Sequence, residues 1–174
     1  MDELDALDLE NPAWAFALDF YRRPGVAEAC LTLQDQLNAD IVELVVVLYA
    51  WSQLGMSLSE TQAGDLRRKM QGWRETTVLP LRHIRRAMKP PRSDMPHETK
   101  EFLRDQVKRA ELLAEQMQIA WANAWIAREK TATHTFDPSP VPEWHFASPK
   151  GDPFPESCTQ ALTFIAQTAI DMKQ

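Results

Sequence analysis

The feature that most constrains the fold is an unbroken helical pattern from about residue 96 to 130. At a rise of about 1.5 Å per residue, such a helix would be about 50 Å long. Two stripes of apolar side chains indicate contacts with more than one neighbouring helix. Small alanines and a tryptophan share the first stripe, which favours an intramolecular bundle over the alternative, a coiled-coil homodimer. The first stripe is a heptad seam of Leu103, Val107, Ala110, Ala114, Met117, Trp121 and Ala124, and the second consists of Leu112, Ile119 and Ile126.

The remaining sequence is also helical in its periodicity and contains only five glycines. Asn11-Pro12 is a favourable helix start, because asparagine can cap and proline at the first position loses no needed donor. Apolar residues at steps of three and four continue from Val26 to Leu37. We therefore predict an all-α fold, a single-domain helical bundle of about six or seven helices.

The most apolar segment runs from Ile41 to Leu54 and is apolar on every side, which predicts a helix at the centre of the core. Asp40 and Glu43 before it have the spacing of a capping box, with Asp in place of Ser or Thr. This spacing explains Glu43 without any chemistry, so we prefer it to the alternative of a buried catalytic acid. Two further boxes at Ser59–Gln62 and Ser157–Gln160 predict helix starts.

Proline 80 interrupts the helical segment from Trp73 to Met88 and should kink it or divide it in two. Pro90-Pro91 then ends this segment and provides a linker to the long helix.

Six of the twelve prolines lie between residues 137 and 155, so this stretch cannot form a regular helix. It also contains Trp144, Phe146 and Phe154, which a purely flexible linker rarely carries. We expect a Pro-rich C-terminal strap with these aromatic side chains buried against the helices. The predicted organisation is an acidic N-terminal tail at 1–10, a helical domain at 11–130, the strap at 131–156, and a C-terminal helix at 157–174 packed on the same domain.

Motifs that indicate chemistry are absent from the sequence. The four histidines form no His-x-x-x-His pair, and His97-Glu98 lacks the second histidine of a zincin motif. There is no Glu-x-x-His pair, no Gly-x-Gly-x-x-Gly, no phosphate-binding Gly-Lys-Ser/Thr and no nucleophile elbow. The sequence therefore predicts no metal ligand, no cofactor and no catalytic residue, and an enzyme on a helical scaffold is a minor alternative.

The net charge of −6 conceals a strong separation of charge along the chain. Residues 1–66 have a net charge of −10, whereas residues 67–92 have a net charge of +8. The candidate contact residues in this basic segment are Arg67, Arg68, Arg74, Arg82, Arg85, Arg86 and Lys89.

Two interpretations of the basic segment remain open. It could bind a polyanion such as nucleic-acid phosphate, an anionic lipid surface or an acidic protein. We favour neutralisation by the acidic N-terminal third of the same chain, because ten negative charges are available there. The leading functional hypothesis is a non-catalytic interaction or regulatory protein with an unknown protein partner, and nucleic-acid or phosphate-ligand binding is the alternative.

Several blocks of the sequence resemble a known family. The first is WAFALDFY at residues 14–21 with PGV at 24–26 and ACLTLQD at 29–35, and NADI at 38–41 follows. A further block contains Trp73-Arg74 and VLPLR at 78–82, and continues to IRR at 84–86. In this order they are similar to the DUF2390 family of uncharacterised proteobacterial proteins, over about residues 14–130. The resemblance implies a cytoplasmic bacterial protein and an intended break at Pro80, and it brings no activity or catalytic residue.

The cellular compartment can also be predicted from the sequence. The first residues are acidic and lack the basic start and apolar stretch of a secretory signal. The apolar run at 41–51 is interrupted by Glu43 and is shorter than the ~20 residues that span a bilayer. We therefore expect a cytoplasmic protein without a membrane span, in which Cys30 and Cys158 are reduced thiols.

Overall fold

Helices form nearly all of the chain that the computed structural model describes, which comprises residues 7–129 and 154–173. No β-strand occurs in these residues, so the predicted all-α helical bundle is confirmed. The α-helices are α1 Pro12–Arg22, α2 Val26–Leu37, α3 Ile41–Leu54, α4 Glu60–Trp73, α5 Leu79–Ala87, α6 His97–Glu129 and α7 Glu156–Asp171, and a π-helical turn at Arg74–Val78 joins α4 to α5.

Helix α3 lies at the centre of the bundle, as predicted from its apolar sequence. It contacts α1, α2, α4, α6 and α7, and its side chains from Val42 to Ser52 are all buried. The Asp40 carboxylate caps its first turn by accepting hydrogen bonds from the backbone N–H groups of Val42 (3.0 Å) and Glu43 (3.4 Å). A helix surrounded on all sides has no polar face, which explains its uniformly apolar sequence.

The first two helices start where local sequence signals place them. The Asn11 side chain accepts a hydrogen bond of 3.0 Å from the Trp14 N–H, and Pro12 is the first helical residue, as predicted. Gly25 precedes α2 with φ +84°, a left-handed conformation that favours glycine. An added Cβ at Gly25 would lie 3.0 Å from the Phe164 ring, so glycine also allows α7 to approach this turn.

The two other predicted capping boxes have different outcomes. The box between Ser59 and Gln62 is confirmed at the start of α4. The box between Ser157 and Gln160 is wrong, because α7 begins at Glu156 and Ser157 therefore lies inside its first turn. The Ser157 hydroxyl instead lies 2.8 Å from the amide oxygen of Gln36 on α2.

The interruption expected at Pro80 is present as the π-helical turn. The Leu79 N–H donates to the Arg74 carbonyl, five residues back, and Pro80 occupies the first turn of α5. Proline removes a backbone donor and crowds the carbonyl four residues before it in a regular helix. The wider π turn relieves this conflict without ending the helical path.

Helix α6 extends over 33 residues, close to the predicted 96–130. Its buried side chains are concentrated from Glu111 onwards, and before that point only Lys100 is buried. Residues 97–113 of α6 form a helical hairpin with α5, which itself has no buried residue. We refer to α5 and residues 97–113 together as the arm.

The C-terminal part of the chain is described only from Phe154. Phe154 is half-buried against the core, and α7 packs on α2 and α3 with Cys158 fully buried, as expected for a core residue. The remaining strap predictions, including burial of Trp144 and Phe146, lie outside the described residues.

Leu48 should be essential for stability, because its side chain is fully buried in the central helix. Leu48→Ala should lower the free energy of unfolding in urea by about 2–5 kcal/mol. Ile170→Ala on α7 is the control, since that side chain is 43% exposed and its loss should cost about 1 kcal/mol or less. Equal losses in the two variants would contradict the central position of α3.

Candidate interaction surface

The candidate basic side chains follow one continuous helical path through α4, the π turn and α5. Arg67 and Arg68 lie on α4, Arg74 lies in the π turn, Arg82, Arg85 and Arg86 lie on α5, and Lys89 follows α5. Their charges are directed to different parts of the molecule, so they do not form one uniform basic face.

Arg67 and Arg74 contact carboxylates at the start of α3. The Arg67 guanidinium lies 3.1 Å from the buried Glu43 carboxylate, and Arg74 Nε lies 3.2 Å from Asp40 Oδ2. Arg68 pairs with Asp65 on its own helix, where both side chains are in contact with solvent. The acidic N-terminal third therefore neutralises part of the basic segment, as the sequence suggested.

Arg82 and Arg85 contact two glutamates on α6 instead. Arg82 donates to Glu111 (2.9 Å) and to Glu115 (2.5 Å), and Arg85 donates to both oxygens of the same Glu111 carboxylate. Glu111 is only 5% exposed. Burial opposes its ionisation, but the hydrogen bonds and charges of Arg85 and Arg82 outweigh burial and hold its pKa below the usual range. Glu111 is thus an ionised anchor that joins the two helices of the arm.

Burial is the largest influence on the pKa of two further acidic partners, Glu115 and Asp40. Burial raises the pKa of Glu115, although the Arg82 charge opposes this and the nearby Glu111 and Asp40 charges add to it. Burial likewise raises the pKa of Asp40, partly offset by the charge of Arg74. These carboxylates lie close enough to influence one another, so the arginines also separate like charges.

Two hydrogen bonds to backbone carbonyl groups lie at the ends of the arm. At its tip, the buried Lys100 ammonium donates to the Pro90 carbonyl (2.9 Å), which joins the linker after α5 to α6. At its base, the Trp73 indole N–H donates to the Ala114 carbonyl (2.9 Å). Polar contacts therefore join the two helices of the arm to each other, and the Trp73–Ala114 hydrogen bond fixes α6 to the bundle where the arm begins.

An apolar stripe on α6 remains exposed on this arm. Phe102 and Leu103 are 70% and 56% exposed, and Ala110 and Leu113 are also exposed. These four positions fall within about 100° of one another around the helix axis. We call Phe102, Leu103, Ala110 and Leu113 the arm stripe.

Four exposed cations also lie on or next to the arm. These are Arg86 and Lys89 near the end of α5 and Lys108 and Arg109 on α6. Within residues 7–129 and 154–173, none of the four takes part in an ion pair. The arm therefore presents apolar and positively charged groups together.

The sequence reasoning missed the glutamates that receive Arg82 and Arg85. Glu111 and Glu115 are four residues apart and therefore lie on one face of α6, which is the signal that could have revealed them. Their segment is nearly neutral overall, so net charge alone concealed them.

The described residues contain no group of three or more His, Cys, Asp or Glu side chains that could hold a metal ion. The helices in the same ranges also include none with the length and apolar character of a membrane span.

Comparison with known proteins gives one match. Residues 12–121 match the model of a family described as a protein of unknown function, DUF2390. No curated protein and no solved structure matches the chain.

Glu111→Gln should lower the free energy of unfolding by about 3 kcal/mol at about pH 7, because it leaves Arg85 without an ionised partner and Arg82 with Glu115 alone. The lowered pKa of Glu111 means that its stabilisation is present above the unfolded value of about 4.3 and is lost as pH falls through the folded value. The difference between wild type and variant in urea unfolding should therefore shrink at about pH 3. The control Asp105→Asn, on the exposed side of α6, should lower the free energy of unfolding by about 0.5 kcal/mol or less. A stability loss in Glu111→Gln that does not change with pH would contradict the role of Glu111 as an ionised anchor.

Proposed function

We propose that this chain, a member of the DUF2390 family, is a non-catalytic interaction protein that binds an acidic amphipathic segment of a partner protein on its arm. The observation that carries the proposal is the exposed arm stripe on a helix whose position is fixed by ion pairs. Exposed apolar groups with a charged rim are typical of protein-binding surfaces.

The arm stripe offers the apolar part of such an interface. Phe102 and Leu103 have most of their side chains in solvent, and burying an apolar side chain of this size gains about 1.5–3 kcal/mol. The positions of the arm stripe recur along one face of α6, which is the arrangement that the apolar anchors of an amphipathic partner helix can contact. A partner helix could therefore bury the arm stripe along its length.

The exposed charges of the arm suggest the chemistry of the partner. Arg86, Lys89, Lys108 and Arg109 are exposed cations, and they would favour carboxylates on the polar side of the partner segment. Because these groups are exposed and lie outside the apolar stripe, their main effect should be on the association rate and on its salt dependence.

The fixed position of the arm supports binding in a further way. The contacts of Glu111 with Arg82 and of Lys100 with Pro90 already hold α5 against α6. A surface that is ordered before binding loses less conformational entropy when the partner arrives.

Polyanion binding through the basic face is the second hypothesis, and the geometry supports it less. It would require Arg82 and Arg85 to leave the buried Glu111 carboxylate. An unpaired buried charge costs several kcal/mol, so a phosphate group would have to compensate for that loss. Arg86 and Lys89 alone offer few contacts for a phosphate backbone.

We also propose that the protein works in the bacterial cytoplasm. Cys30 and Cys158 are both free and buried, which suits a reducing compartment.

Site-specific photo-crosslinking in the source cells tests the arm surface directly. A photoreactive amino acid at Leu103 should give an adduct with one partner protein, and the same group at Ile170 on α7 should not. Leu113→Glu should abolish the adduct by placing a charge in the stripe, whereas Arg86→Glu with Lys89→Glu should weaken it most at low salt. An adduct with residues 130–153 of the same chain would contradict the proposal, and an adduct with a second copy would indicate a homodimer instead.

Heparin chromatography tests the polyanion hypothesis. We expect wild type and the Arg86→Ala/Lys89→Ala variant to elute together below about 0.15 M salt, because most guanidinium groups are already paired. These substitutions leave the Glu111 ion pairs intact, so stability should change by about 0.5 kcal/mol or less. Strong retention of wild type that falls in the variant would favour the polyanion hypothesis.

A further inference from the structure

A cavity of about 470 Å³ lies between α1, α2 and α3 and is bordered by α5 and α6. Its volume is in the range of small-molecule binding sites, which are about 300–1,000 Å³. It is separate from the arm stripe, since none of the four stripe residues lines it.

Most of the cavity wall is apolar. Trp14, Val45 and Ile119 form buried parts of the wall. Leu31 also lines the cavity and is 52% exposed, so the cavity is open to solvent on that side. An apolar molecule could enter there and displace water from a surface that binds water poorly.

Polar groups from four helices also line the cavity. Tyr21 on α1 and Cys30 on α2 both line the cavity and interact electrostatically. Arg82 and Glu115 are joined by the 2.5 Å hydrogen bond described above. Tyr21 interacts electrostatically with both Glu115 and Arg82, which places these groups in one polar region of the wall.

These groups offer hydrogen bonds without an excess of charge. Desolvation by the surrounding protein raises the pKa of Tyr21 above its usual range although 44% of the residue is exposed, and the neighbouring Cys30 and Glu115 add to this effect while Arg82 opposes it. Burial also raises the pKa of Cys30 to about 11, although its interaction with the Tyr21 hydroxyl acts in the opposite direction. Both groups are therefore neutral near neutral pH.

The charged groups nearby balance one another. Arg82 and Arg85 carry two positive charges, and Glu111 and Glu115 carry two negative charges when ionised. An ionised ligand in the cavity would find no uncompensated opposite charge, and burying an unpaired ion is costly. The cavity thus disfavours anions and cations alike.

We propose that this cavity binds a neutral, largely apolar small molecule with one hydrogen-bonding group, and that this group faces Tyr21 and the Arg82–Glu115 pair. This binding activity goes beyond the protein contact proposed for the arm. Van der Waals contact with the apolar wall supplies most of the affinity, and the polar region sets the orientation of the ligand.

A matched pair of fluorescent probes tests the proposal on the full chain. Neutral N-phenylnaphthylamine should bind with one molecule per chain, and its sulfonated counterpart, anilinonaphthalene sulfonate, should bind at least about tenfold more weakly. Naphthol should compete with the neutral probe. Tyr21→Phe should weaken naphthol binding about three- to tenfold, because it removes one hydrogen bond and retains the ring.

Blocking variants locate the site. Ala27→Trp adds bulk at an exposed position in the cavity wall and should lower the affinity for the neutral probe at least about tenfold. Leu31→Asp is a second blocking variant, at the exposed edge of the cavity, and it should also lower the affinity for the neutral probe. The control Ala15→Trp adds the same bulk on the exposed side of α1, and Leu103→Glu alters the arm stripe, so both should bind the probe as wild type does.

Three results would overturn the proposal. The first is wild-type affinity for the neutral probe in both blocking variants, provided that they retain the far-ultraviolet circular dichroism of the native chain. The second is equal affinity of the wild type for the two probes. The third is loss of neutral-probe binding in Met117→Glu instead of in the blocking variants. Met117 lines a smaller cavity of about 290 Å³ beside Trp73 and Trp121, so that last result would place the probe there.

Discussion

The contact of Glu111 with Arg82 and Arg85 is the interaction on which the outer part of the structure depends. Helix α5 buries none of its own side chains, so the apolar packing that holds the other helices contributes less to its position. A buried carboxylate that accepts from two guanidinium groups supplies direction as well as attraction, because charge-assisted hydrogen bonds require a defined geometry. The arm therefore has a fixed position although it extends beyond the apolar core.

This contact also changes the meaning of the charge separation along the chain. The acidic N-terminal third is not the only part of the chain that neutralises the positive charge of residues 67–92. Arg67 and Arg74 find partners at the start of α3, whereas Arg82 and Arg85 find theirs on α6. The basic segment is thus used largely to join helices, and Arg86 and Lys89 remain exposed.

The two proposed binding regions use the same structural support in different ways. The arm stripe is presented to solvent on α6, while Arg82 of the arm and Glu115, just beyond it on α6, line the cavity. The stripe is suited to a protein segment because it is long and exposed and lies on an arm with exposed cations. The cavity is suited to a small neutral molecule because its walls are apolar and its charges cancel.

Local sequence signals were sufficient to predict most helices and their starts. Caps such as Asn11 and Asp40 act on backbone groups two or three residues away. Apolar periodicity indicates which face of a helix is buried. Both signals can therefore be recognised from residues that are close in the sequence. Ser157 shows the limit, since its capping spacing is present but the helix begins earlier. The pairing of Arg82 with Glu111 spans 29 residues, and the cavity combines side chains from five helices. Only the tertiary structure decided these features, because charge–charge contacts and cavities depend on how helices pack in space and leave no fixed spacing in the sequence.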